Sequence, residues 1–377
     1  MHDLSNWTPR PRPTAEGMRG RHVAIKPFVA DADGPALWEA FGREKTNELL
    51  FHFGWPQLMR WQDLAGQLEA MNASGAFITC VFCDPATDIP FGMASYMRID
   101  EKNGSIEVGC VAHGAAMARS PASTEAHYLM ARRVFDELGY RRYEWKLNNP
   151  NEPSHRAARR FGFTFEGVFR QAEVKPYGNR DTAWYSMIDR EWPLNRLAFE
   201  TWLDPANFDA AGNQKVPLSG MTVRTMDAGP LHLKRIDPRD VDTVVALQQA
   251  AYARTRQATD SEPIPLEWDY AKLLSECETW LHADAEGPAA ALILRPRAGD
   301  LYLESIATHP RIAGSGAGTA MMDATMNRAR AWGKPAIRLI TNARNPAVDW
   351  YRRLGFAIER EERRESRTVV HMARQIG

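Results

Sequence analysis

Two distant stretches of the chain carry the same succession of residues: NPNEPSHRAARRFGFTFEG (149–167) and NARNPAVDWYRRLGFAIER (342–360). Each reads as an Asn-rich loop, a short basic helix, a Gly-Phe turn and a strand. A second matching pair lies upstream, in RHVAIKPFVADADGPALWEAF (21–41) and PLHLKRIDPRDVDTVVALQQAAY (230–252). Both members show a short strand, an Asp-bearing turn suited to capping, and a helix with apolar residues at helical spacing. The pairs keep their order and approximate interval, so the sequence predicts one fold used twice. A chain of 377 residues accommodates two such modules, each with its own core.

Between the copies, DPANFDAAGNQKVPLSGMT (204–222) is rich in Pro, Gly, Asn and Asp and has no apolar period. It is the best linker candidate, with a boundary expected near Leu218, giving domains 1–218 and 219–377. Within each half short strands come first, then a strand leading into a long helix, another strand, a short helix and a last strand. That order predicts an α/β class with a mixed sheet and helices on its faces.

The 47 basic and 47 acidic residues balance, which gives no whole-chain attraction to nucleic acid or membrane. No uncharged apolar run reaches the roughly 18 residues of a membrane span. The opening MHDLSNWTPRPRPT lacks the basic-then-apolar order of a signal peptide, so a cytoplasmic location is expected. The four cysteines are too few and scattered for a disulfide scaffold and read as free thiols. Cys80 and Cys83 form a C-x-x-C, but inside strand-forming AFITCVFCDP and without a second Cys/His pair. Core packing is expected there, and no metal.

In HPRIAGSGAGTAMMDA (309–324), an alternating strand (DLYLESIATHP) runs through Gly314 and Gly316 into residues Ala317, Ala320, Met321 and Ala324 at helical spacing. A strand entering a helix through glycines directs several unpaired N–H groups and the positive helix end to one point, which suits a phosphate. The spacing is not G-x-G-x-x-G and no P-loop Lys follows, although tight strand-to-helix packing alone would also use these glycines.

With Arg311 ahead of the glycines, this loop resembles the Gln/Arg-x-x-Gly-x-Gly/Ala pyrophosphate loop of the GNAT acyltransferase superfamily. WYRRLGF (350–356) resembles that family's closing motif, with KPAIRLITN (334–342) as the intervening strand. The first half resembles the RimJ/RimL-like branch in SIEVG (105–109), STEAHYLMARRVFDELGYRRYEWK (123–146), NEPSHRAARRFGF (151–163) and GNRDTAWYSMIDREWP (178–193). It departs at ARSPASTEA (118–126), which has no glycine at the phosphate turn, although Ser120 or Ser123 could cap the helix and Pro121 suits its first position.

The resemblance implies two tandem GNAT folds and acetyl-CoA as donor. It places cofactor contacts at Ile306, Ala307, Arg311, Ile312, Ala313, Gly314, Ser315, Gly316 and Asn345. In the first half it places them at Arg119, Ser120, Ala122, Ser123, Thr124 and Asn151. The reaction is attack of an amine on a thioester, which needs a neutral amine and a proton for the departing thiolate. Tyr351 stands where the family often has that acid, and Glu304 is the carboxylate placed to draw a proton from the amine. Their bland alternatives are a ring packed on the sheet and a solvated outer-face residue. In the first half Ala158 fills the tyrosine position; Ser154 is then the donor near the thioester, or only a helix cap, and Glu107 the carboxylate, with His113 a weaker candidate. His309 and His371 read as structural.

The aromatic loop LLFHFGWPQLMRW (49–61), with Phe51, Phe53, Trp55 and Trp61, either lines an acceptor pocket or covers the sheet, and SEPIPLEWDYAKLL (261–274) takes the comparable place in the second half. The expected activity is acetyl transfer to a primary amine of a small molecule such as an amino acid, an antibiotic or a related metabolite. A peptide N-terminus is the alternative acceptor, and a passive first domain the alternative organisation. The protein is expected to be a monomer or a homodimer.

Overall fold

The computed structural model describes residues 4–236, 240–259, 261–364 and 366–376. It divides into two compact units, Met1–Ala206 and Asn207–Gly377. Leu218 therefore falls inside the second unit, where it is fully buried.

In the first unit the strands are β1 (Met18–Arg19), β2 (Ala24–Pro27), β3 (Phe77–Cys83), β4 (Pro90–Asp100), β5 (Ser105–His113), β6 (Arg142–Asn148), β7 (Thr164–Lys175) and β8 (Gly178–Ile188). They form one sheet in the order β1-β2-β3-β4-β5-β6-β8-β7. The helices are α1 (Ala30–Ala40), α2 (Thr46–Leu49), α3 (Trp61–Ala73), α4 (Pro121–Arg132), α5 (Glu152–Arg160) and α6 (Trp192–Leu203). Leu37, Phe41, Leu64 and Leu68 of the first helical layer bury against Val81, Cys83 and Met93 of the sheet. Each such side chain contributes roughly 1.5–3 kcal/mol on burial. Phe53, Trp55 and Trp61 pack partly buried against this cluster, so most of the aromatic loop covers the sheet. Phe51 instead stays exposed and stacks on Tyr177, with ring centroids 5.2 Å apart.

The second unit contains α7 (Leu218–Met221), β9 (Thr225–Ala228), β10 (Leu231–Arg235), α8 (Val241–Thr259), α9 (Tyr270–Glu276), β11 (Glu278–Asp284), β12 (Gly287–Pro296) and β13 (Leu301–Thr308). It continues with α10 (Ala317–Ala331), β14 (Ala336–Asn342), α11 (Ala347–Arg353), β15 (Ala357–Arg363) and β16 (Thr368–Gln375). The sheet order, β9-β10-β11-β12-β13-β14-β16-β15 read from its first edge, repeats that of the first unit strand for strand. Met321 and Met322 of α10 bury against Leu292, Leu294, Leu301 and Leu339. The Asp-bearing turn expected ahead of α8 includes 237–239, which lie outside the described residues. In the first unit the matching turn is closed by Asp33, whose carboxylate accepts the Val29 N–H at 2.8 Å.

One departure from antiparallel pairing positions everything that follows. β5 pairs β6 in parallel only at Ser105–Glu107, and β13 pairs β14 in parallel only at Leu301 and Tyr302. Beyond those residues the strands part, so both units hold a V-shaped opening. Each opening is flanked by a bulge: β12 and β13 lose register between Ile293 and Leu294, with Glu304 as the extra residue. In the first unit β4 and β5 lose register between Met93 and Ser95, beside Cys110 with its left-handed φ of 49°. All four cysteines are free, and Cys80, Cys83 and Cys277 are buried. No helix of the described residues is long and apolar enough to cross a membrane.

Candidate active site

In the second unit the splay opens into a cleft of about 290 Å³. Its floor is the unpaired edge of β13 from Leu303 to Thr308, whose backbone groups face the gap left by β14. Burial alternates along β13 as expected, with Leu301, Leu303, Ser305 and Ala307 inside. At the end of β13 the chain makes a turn that orders the glycine loop. His309 Nδ1 accepts the Arg311 N–H at 3.3 Å, and the N–H groups of Ile312, Ala313 and Ser315 bond to His309, Pro310 and Ile312 carbonyls.

Gly314 and Gly316 both adopt left-handed φ, 81° and 87°, and no atom lies within 4 Å of where a Cβ would stand on either. The first backward bond of α10 comes from Ala320, to the Gly316 carbonyl at 3.0 Å. The N–H groups of Gly314, Gly316, Ala317, Gly318 and Thr319 consequently have no carbonyl partner among the described residues. This open cradle of amides at a helix N-terminus fits a pyrophosphate. The Arg311 side chain does not join it. Its guanidinium pairs with Asp284 at 2.9 Å and donates to the Gly287 and Pro288 carbonyls at 2.8 and 2.9 Å, fastening the β11–β12 turn beside the loop.

Tyr351 lies buried on α11 with its ring against Trp350 and Phe356, and it lines the cleft. Its hydroxyl has no hydrogen-bond partner among the described residues. Burial, and then nearby Tyr252, push it above the ordinary phenol range. Glu304 also lines the cleft, but Arg295 Nε donates to its carboxylate at 2.6 Å. Asn345 uses its carbonyl oxygen to accept the Ala347 N–H at 3.0 Å and its amide to reach Thr341 at 2.9 Å, so it caps α11. The far wall is the segment Ser261–Pro265, as the placement of 261–274 anticipated. Asn342 donates to Ser261 Oγ at 3.0 Å, and Arg367 donates to the Glu262 carbonyl and pairs with Glu267 at 2.6 Å. Sequence reasoning missed Tyr252, Arg295, Asn342 and Arg367. The one legible signal among them was an arginine nine residues before the strand glutamate in both halves, Arg98 before Glu107 and Arg295 before Glu304.

The first unit builds its turn differently. Arg119 takes the left-handed φ of 62° that glycine takes in the second unit, and Pro121, at the first helical position, has no N–H to offer. Ala122, Ser123 and Thr124 keep N–H groups without a carbonyl partner among the described residues. Neither serine caps the helix, contrary to expectation: Ser120 Oγ donates to Met117 O at 2.6 Å, and Ser123 Oγ to Ser120 O at 2.8 Å. A hydroxyl that donates backward to a carbonyl is turned away from the helix amides.

At α5, Asn151 accepts the Ser154 N–H at 3.2 Å and serves as the cap, leaving the Ser154 hydroxyl free of that task. Trp145 Nε1 donates to Ser154 Oγ at 2.9 Å. An indole can only donate, so the Ser154 proton is left to point elsewhere. Glu107 is buried and paired with Arg98 at 2.7 Å and Lys146 at 3.0 Å. His113 sits beside His127, ring centroids 5.4 Å apart, and burial pushes it down to about 4. His371 bonds Glu362 at 2.8 Å, so like His309 it has a local structural partner.

Two family models match the chain: the Acetyltransferase (GNAT) domain over residues 22–164 and the Acetyltransferase (GNAT) family over residues 243–356. Among solved structures, a GCN5-related N-acetyltransferase from Brucella melitensis is 42% identical, covering 58% of this chain and 99% of that one, with a TM-score of 0.56. The protein belongs to the GNAT acetyltransferase family. A probable GNAT acetyltransferase from Chromobacterium violaceum is 34% identical over 51% of this chain and 96% of its own, with a TM-score of 0.48. No curated protein matches the sequence significantly. The two matched segments and the two repeated sheets make this a tandem GNAT N-acetyltransferase that uses acetyl-CoA and an amine acceptor.

Proposed function

We propose that the second unit transfers acetyl directly from acetyl-CoA to the primary amine of a small molecule. The observation that carries this reading is that one cleft joins the unpaired edge of β13, the unpartnered Tyr351 hydroxyl and Gly318, which belongs to the run of free amides that opens α10. The pyrophosphate lies on the amides, and the pantetheine pairs with the β13 edge at Ile306 and Ala307. The amine attacks the thioester carbon; as the carbon–sulfur bond breaks, Tyr351 supplies a proton to the thiolate, whose pKa in water is about 8.5. Burial disfavours the tyrosinate and the thiolate alike, so the proton transfer remains workable in the closed cleft. The excess proton on nitrogen leaves through water held near Glu304.

A small acceptor is favoured over a protein terminus because Asn342 and Arg367 tie Ser261–Pro265 across the acceptor end. In the first unit, Ser154 is the proton donor and Glu107 the carboxylate of any reaction there. Fewer free amides and a prolyl first turn support weaker acetyl-CoA binding than in the second. Thiol release from acetyl-CoA by the whole chain, against a panel of small amines and of peptides with free N-termini, tests the reading. Small amines should react fastest; faster release with the peptides overturns it.

A further inference from the structure

Tyr252, on α8, takes no part in the reaction as set out above, yet it lines the same cleft as Tyr351 and Glu304. Its hydroxyl oxygen is 3.1 Å from Ser305 Oγ and 3.4 Å from the Ile306 carbonyl oxygen. A carbonyl can only accept, and the Ser305 proton goes to Gln248 Oε1 at 3.0 Å. Tyr252 thus directs its proton into β13, and its oxygen retains the capacity to accept. Tyr351 is the reverse case, since its proton has no acceptor among the described residues. The two hydroxyls are near enough for Tyr252 to contribute to the raised pKa of Tyr351. Burial raises Tyr252 as well, so both are neutral.

Acetyl transfer to an amine needs a donor at the sulfur and, separately, a group that holds the nitrogen with its lone pair aimed at the carbonyl carbon. We propose that Tyr252 is the second group: its oxygen accepts a hydrogen bond from an N–H of the acceptor and so fixes the direction of the nitrogen lone pair. This assignment rests on the second unit being the catalyst. No proton changes owner in this contact. Glu304, held by Arg295, takes no part in this contact.

Propylamine and trimethylpropylammonium separate an N–H contact from a general effect on cleft shape, because the quaternary cation has no N–H to give. Tyr252→Phe keeps the ring and removes the acceptor oxygen. It should raise the KM for propylamine about three- to tenfold, the size of one hydrogen bond. The KM for acetyl-CoA and the inhibition constant of trimethylpropylammonium should not move. Equal losses for both ligands, a raised KM for acetyl-CoA, or no change at all overturns the assignment. Tyr351→Phe is measured alongside. If it leaves turnover intact, or the unaltered protein acetylates no propylamine, the reading of the second unit falls; if Tyr351→Phe slows turnover while Tyr252→Phe changes nothing, only the role of Tyr252 falls.

Discussion

Arg295 holds Glu304 through a 2.6 Å bond from Nε, and its Nη1 reaches Glu276 on the neighbouring helix. The carboxylate is therefore already engaged by a guanidinium donor, which leaves its remaining lone pairs to anchor water. Tyr351 has no such restraint. Its pKa is raised by burial, so it stays a protonated donor through the neutral and alkaline range.

From this contrast, Glu304→Gln should retain at least about a tenth of the turnover, whereas Tyr351→Phe should lose a factor of about 100 to 10,000 with acetyl-CoA affinity intact. The turnover profile of the unaltered protein should also show no fall from Tyr351 ionisation below about pH 10, the ordinary phenol value. Steady-state kinetics across pH check both. A Glu304→Gln loss as deep as that of Tyr351→Phe would return Glu304 to the role of general base.

Gly316 stands at φ 87° as the cap of α10, with open space on its Cβ side. A β-branched residue is strained there by roughly 1–3 kcal/mol, and its side chain enters the space proposed for the pyrophosphate. Gly316→Val should weaken the tighter of the chain's acetyl-CoA binding events by at least about tenfold, an effect of about 1.4 kcal/mol. Calorimetric titration of the whole chain reads this directly. Unchanged affinity would separate the glycines from cofactor binding and leave them as turn formers.

These two sites also mark what the sequence makes legible. Gly314, Gly316 and the Tyr351-to-Gly355 spacing are local: a strand, a turn and a helix written in consecutive residues decide where their amides and ring go. The doubled sheet was legible for the same reason, since β-α-β order survives in sequence. What Arg311 does was not legible, because its partners Asp284, Gly287 and Pro288 lie on another hairpin. Tyr252 was hidden likewise: its place opposite Tyr351 depends on how α8 lies across β13, which no local pattern records. Arg119 shows the opposite limit. The absence of glycine from 118–126 was legible, but not that the turn would place a left-handed arginine one residue before the helix cap.

The His113–His127 pair should make the first unit sensitive to acid. Both Nε2 atoms are buried without a partner among the described residues, amid Phe82, Trp145 and Phe161. Burial lowers His113 to about 4, and burial, then His113 and Arg160, hold His127 well below the ordinary histidine range. Unfolded histidines bind protons near pH 6.5, so between there and about pH 4 the unfolded chain holds more protons than the folded one. Stability is therefore fully present above pH 6.5 and falls as pH drops towards 4. His127→Phe, which suits its aromatic surroundings, should flatten part of that loss in denaturant titrations at pH 7 and 4.5. An unchanged difference between the two pH values would exclude the pair as its source.

Arg328 ties residues 220–221 to the core of the second unit. It is almost fully buried on α10, pairs with fully buried Glu278 through Nε at 2.7 Å, and donates to the Gly220 and Met221 carbonyls. Trp332 adds a bond to the same carboxylate at 3.1 Å. Residues 218–221 are thus part of the environment that makes a buried charge tolerable, and Leu218 and Met221 bury their side chains nearby in sequence. A fragment 207–377 keeps all of these partners. A fragment 223–377 removes both carbonyls and leaves the guanidinium with fewer acceptors, at a cost of about 1–3 kcal/mol for each buried donor left unmade. The longer fragment should therefore unfold at clearly higher denaturant. Within the whole chain, Arg328→Met should destabilise this unit by about 3–5 kcal/mol, because Glu278 then keeps its charge without its main partner, and Arg328→Met with Glu278→Leu should recover much of the loss. Equal midpoints for the two fragments, with no recovery in the double variant, would mean that the segment before β9 rests on the unit without supporting it.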